Sequence, residues 1–466
     1  MIEIMTIETT SLGNRTYLAT DGVSALVIDP PRDADRVLAV AAARGVAVTH
    51  VFETHLHNDY VSGGLDIASR CGAAYHINAA DAVSFDRVGV TDGDVIAVGS
   101  MRVLVVATPG HTFTHLAYVL EDAATSEVLA VFTGGSLLNG STGRPDLLGA
   151  KHALTLAAAQ YASARRLARA LPDRTAVCPT HGFGSFCAAT PAGAAASTIG
   201  DEKRSNPALT LDQDNYVAAL VAGLDAYPAY YAHMAAANAA GPQAPDPAPP
   251  ARVSADELAR RIAAGEWVVD LRHRRVFAAG HVPGSFGFEY GDSFATYLGW
   301  LIPWGAPLTL IGETGGQIAA AQRDLARIGI DRVAGAAVAC AGGWLAAPRL
   351  ATYPVSDYHG LAAALDHEDL AVLDVRRALE RARGSITGSL HVPLHELPGR
   401  LRDLPHRPLW VHCQGGYRAS IAASLLQAAG HAVTVVDDDF ARAVDAGLAV
   451  TPAPQRPAAY RRQRVS

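Results

Sequence analysis

The chain after residue 250 is written twice, and that repeat constrains its fold more than any other feature. "VVDLR" at 268–272 returns as "VLDVR" at 372–376. "GHVPGSFGF" at 280–288 returns more loosely as "GSITGSLHV" at 384–392. "LIGETGGQIAAAQRDLARIGI" at 310–330 returns as "VHCQGGYRASIAASLLQAAGH" at 411–431. Self-similarity at a fixed period means one supersecondary unit used twice. In each copy a short apolar run meets a polar turn and then a helical pattern, the order of an α/β unit. Each unit is roughly 100 residues long, with a boundary near 350.

Ahead of the repeat stands "GPQAPDPAPP", residues 241–250, in which five of ten residues are proline. Proline lacks a backbone donor and fixes φ, so this run reads as an extended spacer. Upstream, "SALVID", "VTHVFETH", "MRVLVVATPGH", "EVLAVFTGG" and "AVCPTHG" read as strands or strand ends. "ADRVLAVAAARG" and "KHALTLAAAQYASARRLARAL" carry helical spacing, and Gly45 marks a helix stop. The expected layout is one α/β domain over 1–240, a Pro-rich linker over 241–251, and two α/β units over 252–350 and 351–455.

Length agrees, since 466 residues correspond to about three domains at ~150 residues each. A formal net charge of −7 argues against a nucleic-acid partner, which would want a basic face. Five cysteines, Cys71, Cys178, Cys187, Cys340 and Cys413, are too few for a disulfide framework and point to a reducing, cytoplasmic setting. The N-terminus shows no basic region followed by an apolar run, so no secretory signal is expected. No charge-free apolar stretch of ~18 residues suggests a membrane span. The Ala-rich 216–240 segment, interrupted by Asp225, Pro228 and His233, reads as a soluble helical segment.

Chemistry gathers at strand ends. "THLHNDYVSGG" (54–64) holds His55, His57 and Asp59, "TPGHT" holds His111, and "PTHG" holds His181. A His-x-His pair on extended backbone presents both imidazoles to one side. A third His from another strand end completes a three-nitrogen site with an open position, which suits a catalytic metal. One isolated His would be read as an ordinary hydrogen-bonded residue; three such segments at strand ends would not.

These motifs resemble the metallo-β-lactamase fold, and within it the glyoxalase II and persulfide dioxygenase branch. That family carries T-H-x-H-x-D-H, a "TPGHT"-like His, a "TGD" Asp and a final His. "STIGDEKRSNPALT" (197–210) and "GRPD" (143–146) resemble segments of the persulfide dioxygenases. The resemblance implies an αββα sandwich over 1–240 and a metal site. Two positions depart from it. Tyr60 stands where the family has its second-site His, and Gly135 in "FTGGS" (132–136) stands for the Asp of "TGD". A two-metal hydrolase needs both. The usual two-His-one-carboxylate iron site lacks its carboxylate as well. One metal ion, Fe(II) or Zn(II), is expected on His55, His57 and His111, with Asp59 and His181 as supporting or occasional ligands. By the same resemblance Lys203 and Arg204 are candidates to meet a glutathione carboxylate; the plainer reading of that pair is solvated surface charge.

The second repeat carries "VHCQGGYRAS". Its Cys413 follows a buried strand and precedes a helix, so helix N–H groups are placed to stabilise a thiolate or a persulfide. Gly415 and Gly416 let the loop curl, and Arg418 adds a positive charge. Asp-x-Arg, Gly-His-x-Pro-Gly and this six-residue loop resemble the rhodanese family. In the first copy Glu313 replaces the Cys and Ile318 replaces the Arg, so that copy is expected to be silent. His281 and His391 are expected to be structural, as are the four cysteines other than Cys413.

Three functions follow as expectations. The first is metal-dependent oxidation of a glutathione-type persulfide to sulfite, coupled to sulfur transfer through Cys413. The second is a mononuclear zinc thioester hydrolase with a rhodanese module. The third is a sulfurtransferase whose N-terminal domain holds no metal and does not catalyse. Partners are small-molecule thiols, persulfides or thiosulfate, with no nucleic acid and no membrane; the sequence leaves homo-oligomerisation open.

Overall fold

A computed structural model describes residues 1–188, 195–339, 350–367 and 369–452. Cys340, the residues 341–349 that precede the expected boundary, and residues 453–455 lie outside the described residues.

The N-terminal half builds two six-stranded sheets. The first runs Glu3–Thr9, Asn14–Thr20, Ser24–Ile28, Ala47–Phe52, Ala74–Asn78 and Val88–Val90 in spatial order. The second runs Ser197–Thr198, Ala176–Pro179, Val128–Gly134, Leu116–Asp122, Met101–Ala107 and Val95–Val98. Alternation along the strands explains the layering. Leu26 and Ile28 point into the seam between the sheets with Phe52, Val103, Val105 and Phe132. Ala25 and Val27 point the other way, under the helices Ala34–Arg44 and Gly64–Cys71. On the far sheet, Val119 and Val131 pack under Ala153–Ala170 and Gln213–Ala222. Period-two side chains on both sheets thus fill one inner and two outer layers, an αββα sandwich. Gly45 ends the first helix in the left-handed region at φ 67°, where glycine pays no Cβ penalty.

The 216–240 segment is two helices, Gln213–Ala222 and Tyr231–Ala240, with residues 223–230 between them. No described helix is long and apolar enough to cross a membrane. The proline run is no free spacer over its first part. Arg32 donates to the carbonyl of Gln243 at 3.1 Å, and Gln322 donates to those of Asp246 and Ala248 at 3.2 and 3.0 Å. A segment with few donors of its own still offers every carbonyl as an acceptor.

Compactness divides the chain into two units. One takes Met1–Ala248 with Gly291–Trp300 and Ala321–Asp331; the other takes Pro249–Tyr290, Leu301–Ala320 and Arg332–Ser466. Within the first, Arg327 pairs with Asp33 at 2.7 Å and Arg32 with Asp331 at 2.6 Å.

The second unit carries the repeat as two all-parallel sheets. Phe286–Gly287, Trp267–Asp270, Leu308–Gly312 and Val333–Val338 form one. Leu390–His391, Ala371–Asp374, Leu409–His412 and Val433–Val436 form the other in the same order, with Val355–Ser356 added at the edge. The Asp-x-Arg motif does the same work in both. Arg272 binds Asp270 at 2.7 Å and the Gly280 carbonyl at 2.8 Å; Arg376 binds Asp374 at 2.8 Å and the Gly384 carbonyl at 2.7 Å. A buried guanidinium and carboxylate bonded to each other staple the strand to the following turn. His281 bonds the Phe277 carbonyl and Gln427, and His391 bonds the Arg376 carbonyl, so each makes structural contacts.

Candidate functional site

Strand ends of both N-terminal sheets converge on one histidine cluster. Ser24–Ile28 delivers Asp29, which sits at φ 50°, a costly conformation for a non-glycine residue. Its carboxylate repays this by accepting from the Thr54 N–H and hydroxyl at 2.7 Å each and from the Thr180 hydroxyl. Ala47–Phe52 stops before the motif, so His55 and His57 lie on a loop beyond the strand rather than on extended strand. Their rings still approach to 4.2 Å between centroids. His111 lies 4.8 Å and His181 5.3 Å from His55, again between centroids. His55, His57, Asp59, His111 and His181 are all essentially fully buried.

Hydrogen bonds set the state of each ring. His57 Nε2 faces the Glu53 carboxylate at 3.1 Å, the Asp29 carboxylate at 3.3 Å and the Tyr60 hydroxyl at 2.9 Å. Burial opposes charge there, but Asp29 and Glu53 prevail and push its pKa up to about 10. At that value both nitrogens carry a proton; Nε2–H is held by the two carboxylates, and Nδ1, buried with no hydrogen-bond partner, is the position a metal ion would take in place of its proton. His111 donates from Nδ1 to the Arg144 carbonyl at 2.8 Å, which leaves Nε2 buried and partnerless. Burial, then His181, hold His111 down to about 3, and burial with the neighbouring rings holds His55 well below the usual range. Both imidazoles are neutral and offer lone pairs. Asp59 accepts from Asn14 at 2.8 Å and faces His181 Nδ1 at 3.3 Å. Against the penalty of burial, His181 keeps this carboxylate ionised.

Potential ligand atoms fall into three sets within 4.8 Å: His55, His57 and His181; His111, His181 and Cys187; and Asp29, Glu53 and His57; among the described residues none of these sets unites the expected triad of His55, His57 and His111. His181 thus joins the His55–His57 pair, and Cys187, read from sequence as a small buried residue, is buried beside His111 and His181.

The two departures from the family pattern have structural counterparts. The Tyr60 ring stacks on His57 at 4.2 Å, and its hydroxyl donates to the Asp29 carbonyl at 3.1 Å. At Gly135 a Cβ would meet His111 Cδ2 at 2.3 Å and Cγ at 2.6 Å, so the imidazole fills the space a side chain would need.

Sequence reasoning missed four members. Asp29 and Glu53 trap His57; Asn14 bonds Asp59 and His181; His115 bonds Thr108 and accepts from the Gly135 N–H at 3.0 Å. The carboxylates were visible as the last residues of "SALVID" and "VFE", and His115 closes "TPGHTFTH". Lys203 and Arg204 pair instead with Asp173 and Asp201 at the surface.

A cavity of about 290 Å3 opens beside Asp59. Tyr230, Tyr231, Phe183 and Phe186 supply apolar walls, and Thr10, Ser11, Asp292 and Thr296 supply polar ones.

The second candidate site is the loop after Leu409–His412. Cys413 is 2% exposed, and the helix Tyr417–Ala428 begins four residues on. Tyr358 donates to the Cys413 carbonyl at 3.2 Å. Of the two loop glycines only Gly416 is conformationally required: φ is 84°, and a Cβ would meet Asp437 Oδ1 at 2.0 Å and Cα at 3.0 Å. Gly415 faces open space. Gly416→Ala is therefore expected to destabilise the protein by roughly 1–3 kcal/mol and to cut sulfur transfer, while Gly415→Ala leaves both near wild type; denaturant unfolding and a thiosulfate assay check this.

Arg418 does not stand free. Both terminal nitrogens grip Glu380, at 2.5 and 2.6 Å. Burial resists ionisation of Glu380, yet Arg418 pulls its pKa down to about 2. A depressed carboxylate stabilises the fold above its unfolded pKa of about 4.3, and this contribution fades as pH falls toward 2. The stability gap between wild type and Glu380→Ala is expected to be on the order of 2 kcal/mol at pH 7 and to shrink below pH 4 in denaturant titrations. In the first copy Ile318 is buried at the Arg position and the Glu313 N–H is tied to Gln317 at 2.8 Å.

The fold and site define a class. The family model described as "Metallo-beta-lactamase superfamily" matches residues 10–181, and the one described as "Rhodanese-like domain" matches 357–445. The chain belongs to the metallo-beta-lactamase superfamily and carries a C-terminal rhodanese-like domain. A hydroxyacylglutathione hydrolase of Polaromonas sp. is 33% identical over 223 residues, 42% of this chain and 80% of that protein. Against four other hydroxyacylglutathione hydrolases the chain spans 44% to 60% of their length. A metallo-beta-lactamase structure from Staphylococcus aureus superposes with a TM-score of 0.65 at 27% identity, covering 72% of this chain and 99% of that one. The structure of ETHE1 from Myxococcus xanthus gives a TM-score of 0.44 at 29% identity, covering 51% and 98%.

Proposed function

We propose that the N-terminal domain uses one metal ion to oxidise the persulfide of a small thiol to sulfite, and that the rhodanese-like domain carries sulfane sulfur on Cys413. The balanced reaction takes RSSH, O2 and H2O to RSH, sulfite and two protons. One observation carries the metal: His57 Nδ1 and His111 Nε2 are buried and partnerless, while the opposite nitrogen of each ring is already bonded to the protein. Leaving two such atoms unsatisfied in the interior is costly, and a cation relieves both. His55, His57 and His111 would hold the ion, with His181 and Asp59 alongside. Iron(II) bound there would supply the oxygen chemistry. Asp29 and Glu53 hold the proton of His57 on Nε2, Arg144 holds that of His111 on Nδ1, and the cavity beside Asp59 admits the thiol. On Cys413, the helix N-terminus and the curled loop stabilise the sulfur anion, and Arg418 braced by Glu380 shapes the loop.

A second reading is a zinc thioester hydrolase on the same ligands, favoured by the 33% identity to a hydroxyacylglutathione hydrolase. Oxygen uptake by the iron-loaded protein on adding glutathione persulfide separates the two. Uptake lost in His111→Ala supports the dioxygenase. Zinc-dependent thioester cleavage without uptake supports the hydrolase. Neither, with Cys413-dependent transfer intact, makes the N-terminal domain a non-catalytic partner.

A further inference from the structure

We infer that the first copy of the repeat is a working part of the sulfur site: its Arg274 and Arg275 cancel the charge of Asp437, the acid pressed against the Cys413 loop, and so keep that loop able to hold a sulfur anion. The inference rests on the reading above that Cys413 carries sulfane sulfur.

Both copies lie in one compact unit. The strand Val433–Val436 runs into three successive acids, Asp437, Asp438 and Asp439, and these lie against the loop. A Cβ on Gly416 would meet Asp437 Cα at 3.0 Å, and the Phe440 N–H donates to the Gln414 carbonyl at 2.9 Å. A loop suited to an anion is thus backed by three carboxylates. Like charge nearby disfavours an anion, so each acid has to be answered. Asp438 finds Arg442 at 3.1 Å, and Asp439 accepts from the Ala441 N–H at 3.0 Å and from Gln414 at 3.3 Å, all within the second copy. On the other flank Arg418 is held by Glu380. Asp437 differs. Its side chain is 3% exposed, and its two ion-pair partners among the described residues come from the first copy: Arg274 Nε binds Oδ1 at 2.8 Å and Arg275 Nε binds Oδ2 at 2.6 Å. Burial opposes ionisation of this carboxylate, yet the two guanidiniums hold its pKa below the usual range.

The two cations depart from the repeat's own pattern. Counting on from the Asp-x-Arg motif, Arg274 and Arg275 stand where the second copy has Ala378 and Leu379. The next residue, Val276, stands where the second copy has Glu380, as Ile318 stands for Arg418. The first copy therefore lacks the pair that braces a loop from within, and beside that position it carries two guanidiniums that reach its neighbour's loop instead. Glu289 completes the contact. Its carboxylate binds Arg274 at 2.6 Å, and its carbonyl accepts from the hydroxyl of Tyr417, the residue after Gly416, at 3.1 Å. Arg274 and Arg275 act on Cys413 through Asp437 and are positioning residues.

The double variant Arg274→Ala/Arg275→Ala tests this in the full-length protein with two rates at pH 7: sulfur transfer from thiosulfate, and alkylation of Cys413 by iodoacetamide followed by peptide mass. The Cys413 thiolate is the nucleophile in both. It takes the outer sulfur of thiosulfate as sulfite leaves, or the carbon of iodoacetamide as iodide leaves. Both rates are expected to fall about ten-fold or more, because an unanswered carboxylate now opposes the thiolate. Adding Asp437→Asn, which keeps the shape and removes the charge, is expected to restore both to within about three-fold of wild type. Arg275→Ala alone, at a side chain 65% exposed, keeps the test open if the double variant does not fold. It is expected to lower both rates about three-fold, and Arg275→Lys to retain most of them. Undiminished rates in the folded variants would overturn the inference. So would a loss that Asp437→Asn does not reverse, since that marks a mechanical tether and not a charge effect. The two readings fail separately. A wild type that forms no Cys413 persulfide, while alkylation follows the expected order, refutes the sulfur-carrier reading alone. One that transfers sulfur at a rate indifferent to the arginines refutes this inference alone, and one in which Cys413 neither transfers sulfur nor is alkylated refutes both.

Discussion

Cys413→Ser is expected to lower thiosulfate-dependent sulfur transfer by at least about a thousand-fold, because it removes the nucleophile and leaves everything around it in place. Serine is close in size to cysteine, and Cys413 is 2% exposed, held between the buried strand Leu409–His412 and the helix Tyr417–Ala428. The fold has no reason to change. Thermal unfolding should therefore stay within a degree or two of wild type, consistent with a change of well under ~1 kcal/mol. Intact-mass spectrometry after thiosulfate treatment should show a persulfide adduct on wild type and none on the variant. Cys187→Ser serves as the control. Its sulfur lies beside His111 and His181 in the other unit, so it should leave transfer from thiosulfate unchanged. Residual transfer in Cys413→Ser that vanishes in the double variant would relocate the sulfur carrier to the N-terminal domain.

The same two sites show what a sequence can reveal. Strand ends bearing histidine were legible because both signals are local: apolar alternation marks the strand, and the polar residue after it marks the loop. The repeat was legible for the same reason, down to Asp270–Arg272 and Asp374–Arg376, whose partners lie two residues apart. The protonation of His57 was not, because Asp29 is 28 residues away and its left-handed backbone gives no sequence signal in a non-glycine residue. Nor was the neutralisation of Arg418, which depends on Glu380 arriving from a helix in another part of the repeat. Gly415 and Gly416 look alike in sequence, and only the nearness of Asp437 separates them. The proline run was read correctly as non-helical, but its carbonyls find Arg32 and Gln322, donors that no local pattern points to.

Gly135→Asp is expected to lower metal content and stability, although it writes back the family's "TGD". The restored Cβ would stand 2.3 Å from His111 Cδ2 and 2.6 Å from Cγ, far inside contact distance. His111 has little room to retreat. Its Nδ1 is bonded to the Arg144 carbonyl at 2.8 Å, and the backbone of Gly143 presses so close that a Cβ there would be 2.7 Å from the same nitrogen. Gly135 cannot move freely either, since its N–H donates to His115 and its carbonyl accepts from the Gly143 N–H at 2.8 Å. Overpacking of this kind costs roughly 1–3 kcal/mol. The carboxylate would also be buried against the His111 ring, whose pKa burial holds down, so it would enter the interior beside a neutral imidazole. Denaturant unfolding and metal analysis of iron- and zinc-loaded protein read the two effects together. A variant that instead bound metal more tightly would mean that His111 swings aside when a carboxylate arrives, and the three-nitrogen centre would then be one of two arrangements open to the same residues. Loss of both metal and stability would mean that the imidazole of His111 has taken over the space of the lost aspartate, so that the site cannot be returned to the family pattern by one substitution.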